Sequence, residues 1–158
     1  DGYAEMQAAT AALDADDDSA RARLLRAQTA SYRDYAMANE RRTQLRWAWH
    51  AFFKEWDVLV APMMATAAFP HDHRPFGQRT IRVDNDERPY FEQLFWAGLA
   101  INSYLPATVI PTGGHPASGG GLPIGVQLIG PEFGDLKTLG VAKLLEAAGF
   151  GFAPPPGY

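Results

Sequence analysis

The stretch Gly121-Leu-Pro-Ile-Gly-Val-Gln-Leu-Ile-Gly-Pro131 decides the fold of this chain. Its centre, residues 124–129, is too short and too apolar for a solvent-facing helix, and glycine or proline stands at both ends. Alternation divides the side chains between two faces, one with Ile124, Val126 and Leu128, the other with Gly125, Gln127 and Ile129. The sequence therefore predicts a buried strand that is covered on both faces.

Two residues of this strand are candidates for structural support of a site. Gly125 has no side chain, and a glycine inside a strand marks a close approach, either by a helix or loop that crosses it or by a ligand. Gln127 carries the only polar side chain of the strand, so its amide must find hydrogen-bond partners once it is buried. We expect both residues to act through packing and hydrogen bonding.

Three further runs give the stretch a family context. They are Asp57-Val-Leu-Val-Ala-Pro62, Leu105-Pro-Ala-Thr-Val-Ile-Pro111, and Pro89-Tyr-Phe91 leading into Phe95-Trp-Ala-Gly98. With residues 121–131 they resemble, in order, the closing segment of the amidase signature family, over most of residues 30–158. The resemblance implies an α/β fold, a mixed sheet covered by helices. It also implies that residues 1–158 are the C-terminal fragment of one amidase-like domain, with a helical lead-in at 1–30 and the family-like portion at 31–158.

The chemistry of that family is the hydrolysis of carboxylic amides. The resemblance implies a nucleophilic serine, activated by a second serine and a lysine, with backbone N–H groups forming the oxyanion hole. None of the four serines here stands beside another, and no lysine matches the motif. We therefore assign no catalytic residue, expect the catalytic centre in an N-terminal half that is missing from this sequence, and expect no amide hydrolysis by this chain alone.

The same resemblance assigns residues to the wall of the substrate pocket. The family's C-terminal half helps to shape the acyl side of the pocket, which implies substrate-binding roles for Phe95, Trp96 and Tyr104. Tyr104 stands where a glycine commonly precedes Leu-Pro, so the substrate that fits the pocket is open.

Composition excludes several classes of protein. The net charge is −4 and the arginines are scattered among acids, which argues against nucleic acid as a partner. No apolar run approaches the roughly 18 residues that span a membrane. The chain has no cysteine, which excludes thiolate metal sites and fits a reducing compartment, so we expect a cytoplasmic location and no cofactor.

Two other arrangements of polar residues could form sites. His71-Asp72-His73 places two imidazoles around a carboxylate, but no third ligand stands at a recognised spacing, so we predict no tightly bound metal. Ser118 and His115 could belong to a serine-histidine-acid site, yet Pro-Ala-Ser118-Gly-Gly is not a strand-to-helix elbow. Either site would be independent of the family resemblance.

Periodicity predicts helices and one hairpin around the strands. We expect helices at 1–13, from Ser19 to about residue 28, from 32 to 56, from 90 to about 102 and from Asp135 to Gly149, and a hairpin turning at 84–87. Three helices have large apolar stripes that we expect to face the core. They are Leu45, Ala48, Trp49, Phe52, Phe53 and Trp56 in the first, Phe91, Leu94, Phe95, Gly98 and Leu99 in the second, and Leu136, Leu139, Gly140, Leu144 and Ala148 in the third.

Functions of different classes remain open at this point. The chain could belong to an amide hydrolase, to a protein like the A subunit of an amidotransferase, or to a non-catalytic interaction module that reuses the fold. Expected partners are the missing N-terminal half, a small-molecule amide and a second copy of the chain. An upstream reading frame that encodes Gly-Ser-Ser-Gly-Gly and a lysine would favour the hydrolase.

Overall fold

A computed structural model of the chain describes residues 1–114 and 122–154. The chain forms two compact units, Asp1–Gln44 and Leu45–Tyr158. The first contains helices α1 (Gly2–Ala11) and α2 (Ala20–Gln28) and the beginning of α3 (Tyr32–Phe52). The second contains the end of α3 and all of the described strands.

The first unit is a pair of short helices joined by an acidic turn. The Ser19 side chain accepts a hydrogen bond from the backbone N–H of Ala22, which confirms the predicted cap of α2. Arg26 reaches back across the turn and donates to the carbonyl oxygens of Asp14 and Asp17. Ala22 is fully buried. The acidic run is therefore held by its backbone, while its carboxylates are largely left to solvent.

The second unit is built on a three-stranded sheet. Its strands are β1 (Leu59–Pro62), β4 (Ala107–Gly114) and β5 (Pro123–Ile129), in the spatial order β1-β5-β4. The predicted organising strand, β5, is thus the central one. Two more strands, β2 (Thr80–Val83) and β3 (Asp86–Pro89), form the predicted hairpin, and Asp84 at its turn has a φ of 54°.

Both pairings in this sheet are antiparallel. Ile129 lies opposite Leu59 on one side and opposite Ala107 on the other. The predicted α/β class, a sheet covered by helices, is confirmed. The sheet was expected to be mixed, but both of its pairings in the described residues are antiparallel. The reason lies in connectivity: the link from β4 to β5 is too short for the crossover that parallel neighbours need.

Burial increases along β5 from its beginning to its end. Gln127, Leu128 and Ile129 are buried, whereas the residues from Ile124 to Val126 are half-buried. Ile129 forms a small core with Ala61 and Ala100, and half-buried apolar side chains surround it: Phe53, Leu59, Leu99 and Leu105. The strand is therefore covered most completely at its C-terminal end.

Helix α4 (Leu94–Ile101), preceded by a 3-10 turn at Tyr90–Gln93, covers only the end of the predicted stripe, where Gly98 and Leu99 are half-buried. Phe91, Leu94 and Phe95 are each more than half exposed. The buried positions are Gln93, Ala100 and Ser103, which recur at helical spacing on the opposite face. Within α4, Ala100 and Leu99 pack in the core with Ala61 and Ile129, whereas Leu94 and Phe95 are exposed.

The other two predicted stripes are also wrong in part. In α3, Trp49, Phe52 and Phe53 are half-buried and joined by ring contacts, while Leu45 and Trp56 are exposed. In α5 (Asp135–Ala147) the exposed side is the predicted one: Leu136, Leu139 and Leu144. Apolar periodicity located these helices correctly, but the strands of this unit cover only part of each stripe.

The buried side chain of Thr138 positions helix α5 on β4 and β5. The Thr138 hydroxyl lies 2.8 Å from that of Thr108 and donates to the carbonyl oxygen of Asp135. A Cβ on Gly130 would lie 2.6 Å from the Thr138 methyl group, so the helix and the end of β5 touch where glycine leaves room. Gly134, and not Asp135, is the N-cap residue; Asp135 lies in the first turn, and Gly149 ends the helix with a φ of 106°, as predicted.

Candidate functional site

The Gln127 side chain joins three elements of the second unit. Its Nε2 donates to the carbonyl oxygen of Pro62, at the end of β1, and to that of Trp96, in α4, both at 2.9 Å. The residue is 2% exposed. Because both protons of the amide are used on backbone acceptors, Gln127 fixes the position of α4 on the sheet and has no N–H left for a ligand.

Gly125 lies beside the adjacent strand, not beneath a crossing helix or loop. A Cβ at this position would lie 3.1 Å from the carbonyl oxygen of Ile110 and 3.3 Å from Val109 Cγ1. Both atoms belong to β4, close to the irregularity in its pairing between Pro111 and Gly113. A side chain here would crowd a neighbouring backbone, which is the close approach that an internal strand glycine predicts.

Gly125 also faces an open groove of about 580 Å³. The floor of the groove is formed by the beginning of β5 and the end of β1, and one side by the loop that follows β1, through Met63, Met64 and Phe69. The size lies within the range of small-molecule sites. This groove is mostly apolar, and Thr66 is the one side chain with a hydroxyl group among its lining residues.

Phe95 and Trp96 lie together on α4. Their rings meet edge to face with centroids 5.2 Å apart. Phe95 is 64% exposed and lines a second groove of about 370 Å³ with residues of α3 and α4, among them Trp49 and Leu99. Trp96 is half-buried, and its backbone is the one that Gln127 holds. The two rings therefore form an aromatic surface on α4, and Gln127 fixes the position of that helix.

Tyr104 occupies a backbone conformation that favours glycine. Its φ is 57°, which explains physically why a glycine is common before Leu-Pro in sequences of this kind. The Arg46 guanidinium lies 5.1 Å from the centre of the Tyr104 ring and forms an ion pair with Glu132. A cation held over the ring contributes about 0.5–1 kcal/mol at an exposed site, enough to offset part of the backbone strain.

The five residues predicted for the site are thus only partly brought together. Gln127 contacts the Trp96 backbone, and Trp96 contacts Phe95. Gly125 lines a different groove from Phe95, and Tyr104 is engaged with Arg46 on α3. Their roles in binding substrate stay predictions.

Sequence reasoning missed Gln93, Thr66 and Ser103, each of which has a buried polar atom without a partner among the described residues. Gln93 is 7% exposed; its Oε1 accepts from the backbone N–H of Ala65, while its Nε2 has no partner among the described residues. The Thr66 hydroxyl, next along the same loop, and the fully buried Ser103 hydroxyl are in the same situation. Buried polar groups are normally paired, so these atoms mark places where the described part of the chain offers fewer partners than such groups require. The signal in the sequence was the helical spacing of Gln93, Ala100 and Ser103.

Only one of the two alternative polar arrangements lies in the described structure. The His71 and His73 rings lie 6.0 Å apart, but Asp72 between them is bound by Arg74. In residues 1–114 and 122–154 no group of three or more histidines, cysteines and carboxylates could hold a metal ion. Ser118 and His115 lie outside the described residues.

The second unit is an antiparallel sheet covered by helices, and its buried Gln127 fixes the aromatic helix α4. Comparison with known proteins identifies the family. The family model described as Amidase matches residues 3–139. The chain belongs to the amidase family. The match includes the helices of the lead-in as well as the sheet.

Two curated relatives are A subunits of glutamyl-tRNA(Gln) amidotransferase. The one from Halothermothrix orenii is 32% identical over 114 residues, which cover 72% of this chain and 21% of the relative. The chloroplastic and mitochondrial one from Arabidopsis thaliana is 30% identical over 133 residues, covering 82% of this chain and 23% of the relative. The chain therefore spans about a fifth of the length of these relatives.

One solved structure is similar in three dimensions. Its title describes an unexpected vestigial protein complex that reveals the evolutionary origins of an s-triazine catabolic enzyme, in an inhibitor-bound complex. The TM-score is 0.62 at 25% sequence identity, with 80% of this chain and 27% of that chain covered. Similar proteins thus include components of larger assemblies. No helix within the described ranges has the length and apolarity needed to cross a membrane.

Proposed function

We propose that this chain is the C-terminal part of an enzyme that hydrolyses carboxylic amides to a carboxylate and ammonia. It supplies core and pocket walls, and the serine-serine-lysine centre comes from residues outside these 158. Membership of the amidase family supports the reaction class, and the sequence holds no adjacent serines that could supply the centre. The observation that carries the proposal is the orientation of α4, on which Phe95 is exposed while Ala100 is buried in the core.

We assign one role each to Gln127, to the pair Phe95 and Trp96, and to Tyr104. Gln127 fixes the Trp96 backbone, so that Phe95 and Trp96 present a rigid apolar wall to the acyl group of the substrate. Tyr104 limits the pocket at the end of α4, where glycine would leave it wider. Rigid aromatic walls discriminate between substrates by shape, through differences in transition-state binding.

The test is an assay for ammonia release from aryl and aliphatic amides. The 158-residue chain is assayed alone and together with an N-terminal amidase segment that contains the serine pair. We expect turnover only with that segment present. In the active combination, Phe95→Ala should change the ratio of kcat/KM for aryl and aliphatic amides by about tenfold, because Phe95 lines the second groove and a pocket contact is worth about 1–3 kcal/mol.

Trp47→Ala is the matched control, because Trp47 is 67% exposed on α3 and lines neither groove. It should leave the ratio unchanged. Amide turnover by the pure chain that disappears on Ser118→Ala would instead place the nucleophile within these residues and overturn the proposal.

A second candidate is favoured by the curated relatives. Because they belong to amidotransferases, the whole protein could release ammonia from glutamine and deliver it to a partner protein. The two candidates differ in substrate preference. Strong preference for glutamine, with ammonia release stimulated by a partner, would favour the amidotransferase; broad use of simple amides would favour the free hydrolase. A cytoplasmic location fits both candidates.

A further inference from the structure

The loop between β1 and β2 forms a cleft separate from the residues assigned to the amide pocket. The cleft has a volume of about 390 Å³ and is lined by residues 69–73 together with Arg79 and Tyr90. Its size is within the range of small-molecule sites, which starts at about 300 Å³. Aromatic rings form one wall, where Phe69 and Tyr90 meet edge to face at 5.9 Å.

The one carboxylate in this cleft is already neutralised. Arg74 donates from Nε to both oxygens of Asp72, at 3.0 and 3.1 Å, and from a terminal nitrogen at 2.7 Å. The Arg74 backbone N–H adds a fourth contact at 3.0 Å. Hydrogen bonds of this kind consume the acceptor capacity of the carboxylate, so Asp72 neither serves as a metal ligand nor opposes an incoming anion with an unpaired charge.

Three of the other side chains that line the cleft, those of His71, His73 and Arg79, carry N–H donors. Arg79 donates from Nε to the carbonyl oxygen of Arg74 at 2.7 Å, which holds its guanidinium in place. Its two terminal nitrogens make no hydrogen bond to any described residue. The His71 and His73 rings stand 6.0 Å apart, and an imidazole carries at least one N–H donor in either protonation state. A fixed guanidinium with two available terminal nitrogens matches the two oxygens of a carboxylate.

We propose that His71, His73 and Arg79 bind the carboxylate of a small organic acid whose apolar body lies against Phe69 and Tyr90. The site does not depend on amide hydrolysis and would be present whether the whole protein is a hydrolase or an amidotransferase. Benzoate is a suitable probe, because it joins a carboxylate to an aromatic ring. Benzyl alcohol has a similar body without the charge.

The experiment follows NMR signals of the full 158-residue chain during titration with benzoate. We expect saturable shifts at His71, His73 and Tyr90, and none with benzyl alcohol at the same concentrations. Arg79→Gln should weaken benzoate binding by about tenfold or more, through loss of charge-assisted hydrogen bonds. His71→Gln combined with His73→Gln should weaken it as well, and this variant leaves the contact between Arg79 and Arg74 intact.

His50→Gln is the matched control, since His50 is exposed on α3 outside the cleft, and it should bind benzoate as the parent does. Inorganic phosphate distinguishes a site for organic acids from a general anion site. Equal affinity for phosphate and benzoate would overturn the role of the aromatic wall. Shifts that never saturate, or affinities unchanged in both the Arg79 and the double histidine variants, would overturn the site.

Discussion

Gln127 Nε2 lies 2.9 Å from the carbonyl oxygen of Trp96, and this contact attaches the aromatic helix to the central strand. The same nitrogen reaches the carbonyl oxygen of Pro62. A single amide group therefore fixes the relative positions of β1, β5 and α4.

Replacing Gln127 with leucine should destabilise the chain by about 1–3 kcal/mol. Leucine fills a similar volume but removes the buried donor that the carbonyl oxygens of Pro62 and Trp96 share. The measurement is the urea midpoint of unfolding, at constant slope. Gln78→Leu, at an exposed position, is the control and should stay within about 0.5 kcal/mol of the parent. Equal midpoints for the two variants would mean that the Gln127 amide does not hold the three elements together.

Truncation to alanine should destabilise the chain much more at Leu128 than at Leu136, although both are leucines in an apolar pattern. Leu128 is fully buried in β5, and Leu136 is 84% exposed in α5. Leu128→Ala should cost about 2–5 kcal/mol, while Leu136→Ala should change stability by less than about 0.5 kcal/mol. Thermal unfolding of the two variants makes the comparison. A larger loss for Leu136→Ala would show that another surface covers α5 in solution, for instance in a second copy of the chain.

Adding a methyl group to Gly130 should push α5 away from the sheet. Because the new Cβ would lie 2.6 Å from the Thr138 methyl group, Gly130→Ala should destabilise the chain by about 1–3 kcal/mol. Thr138→Ser removes that methyl and keeps the hydroxyl, so the loss caused by Gly130→Ala should be smaller when both changes are combined. Gly140→Ala, in α5, is the control: no described atom outside the backbone of that helix lies within 4 Å of its Cβ position, and it should stabilise by up to about 1 kcal/mol.

If the Gly130→Ala loss is the same with threonine or serine at position 138, the close contact with that methyl is not its cause. Equilibrium unfolding of the four proteins in the cycle settles the matter. The slope against denaturant should stay constant, since the change is local.

Arg74 should control the titration of Asp72. Its hydrogen bonds and charge lower the pKa of that carboxyl from 3.8 to about 2. A lowered pKa in the folded state means that this contribution to stability is complete above the ordinary value and is lost as the pH falls toward about 2. Arg74→Gln should therefore raise the pKa of Asp72, as measured from its carboxyl carbon signal during acid titration.

Arg82→Gln serves as the control for that titration, because Arg82 donates to the Asp84 carbonyl oxygen and to Asn85 at the hairpin turn. The pKa of Asp72 should not change in this variant. An Asp72 midpoint that is the same with and without Arg74 would contradict the assignment of cause.

The sequence was sufficient for the positions of most elements. The short apolar run between glycines and prolines identified β5, the acidic turn located the hairpin, and Ser19 and Gly149 bounded their helices. These features depend on local backbone chemistry, which a sequence records directly. The family resemblance, confirmed by the match over residues 3–139, rests on the same local runs.

The orientation of the helices could not be predicted in this way. Hydrophobic periodicity shows that a helix has an apolar face, but not whether residues of the same chain cover it. In α4, Ala100 packs with Ala61 and Ile129 of the sheet, whereas Phe95 is exposed. Tyr104 was recognised as unusual from its position before Leu-Pro, but its contact with Arg46 depends on α3 returning beside it.

The order β1-β5-β4 also has a consequence for the course of folding. Ala107 and Leu59 both pair with Ile129. The pairing with Ala107 closes a short loop, whereas the chain between Leu59 and Ile129 makes up most of the second unit. The entropy of closing a loop grows with its length, and distant pairings slow folding. During synthesis β1 therefore emerges long before β5, the strand with which it pairs. Until β5 arrives, β1 lacks the strand with which it pairs in the folded unit, so its apolar residues stay exposed on the nascent chain.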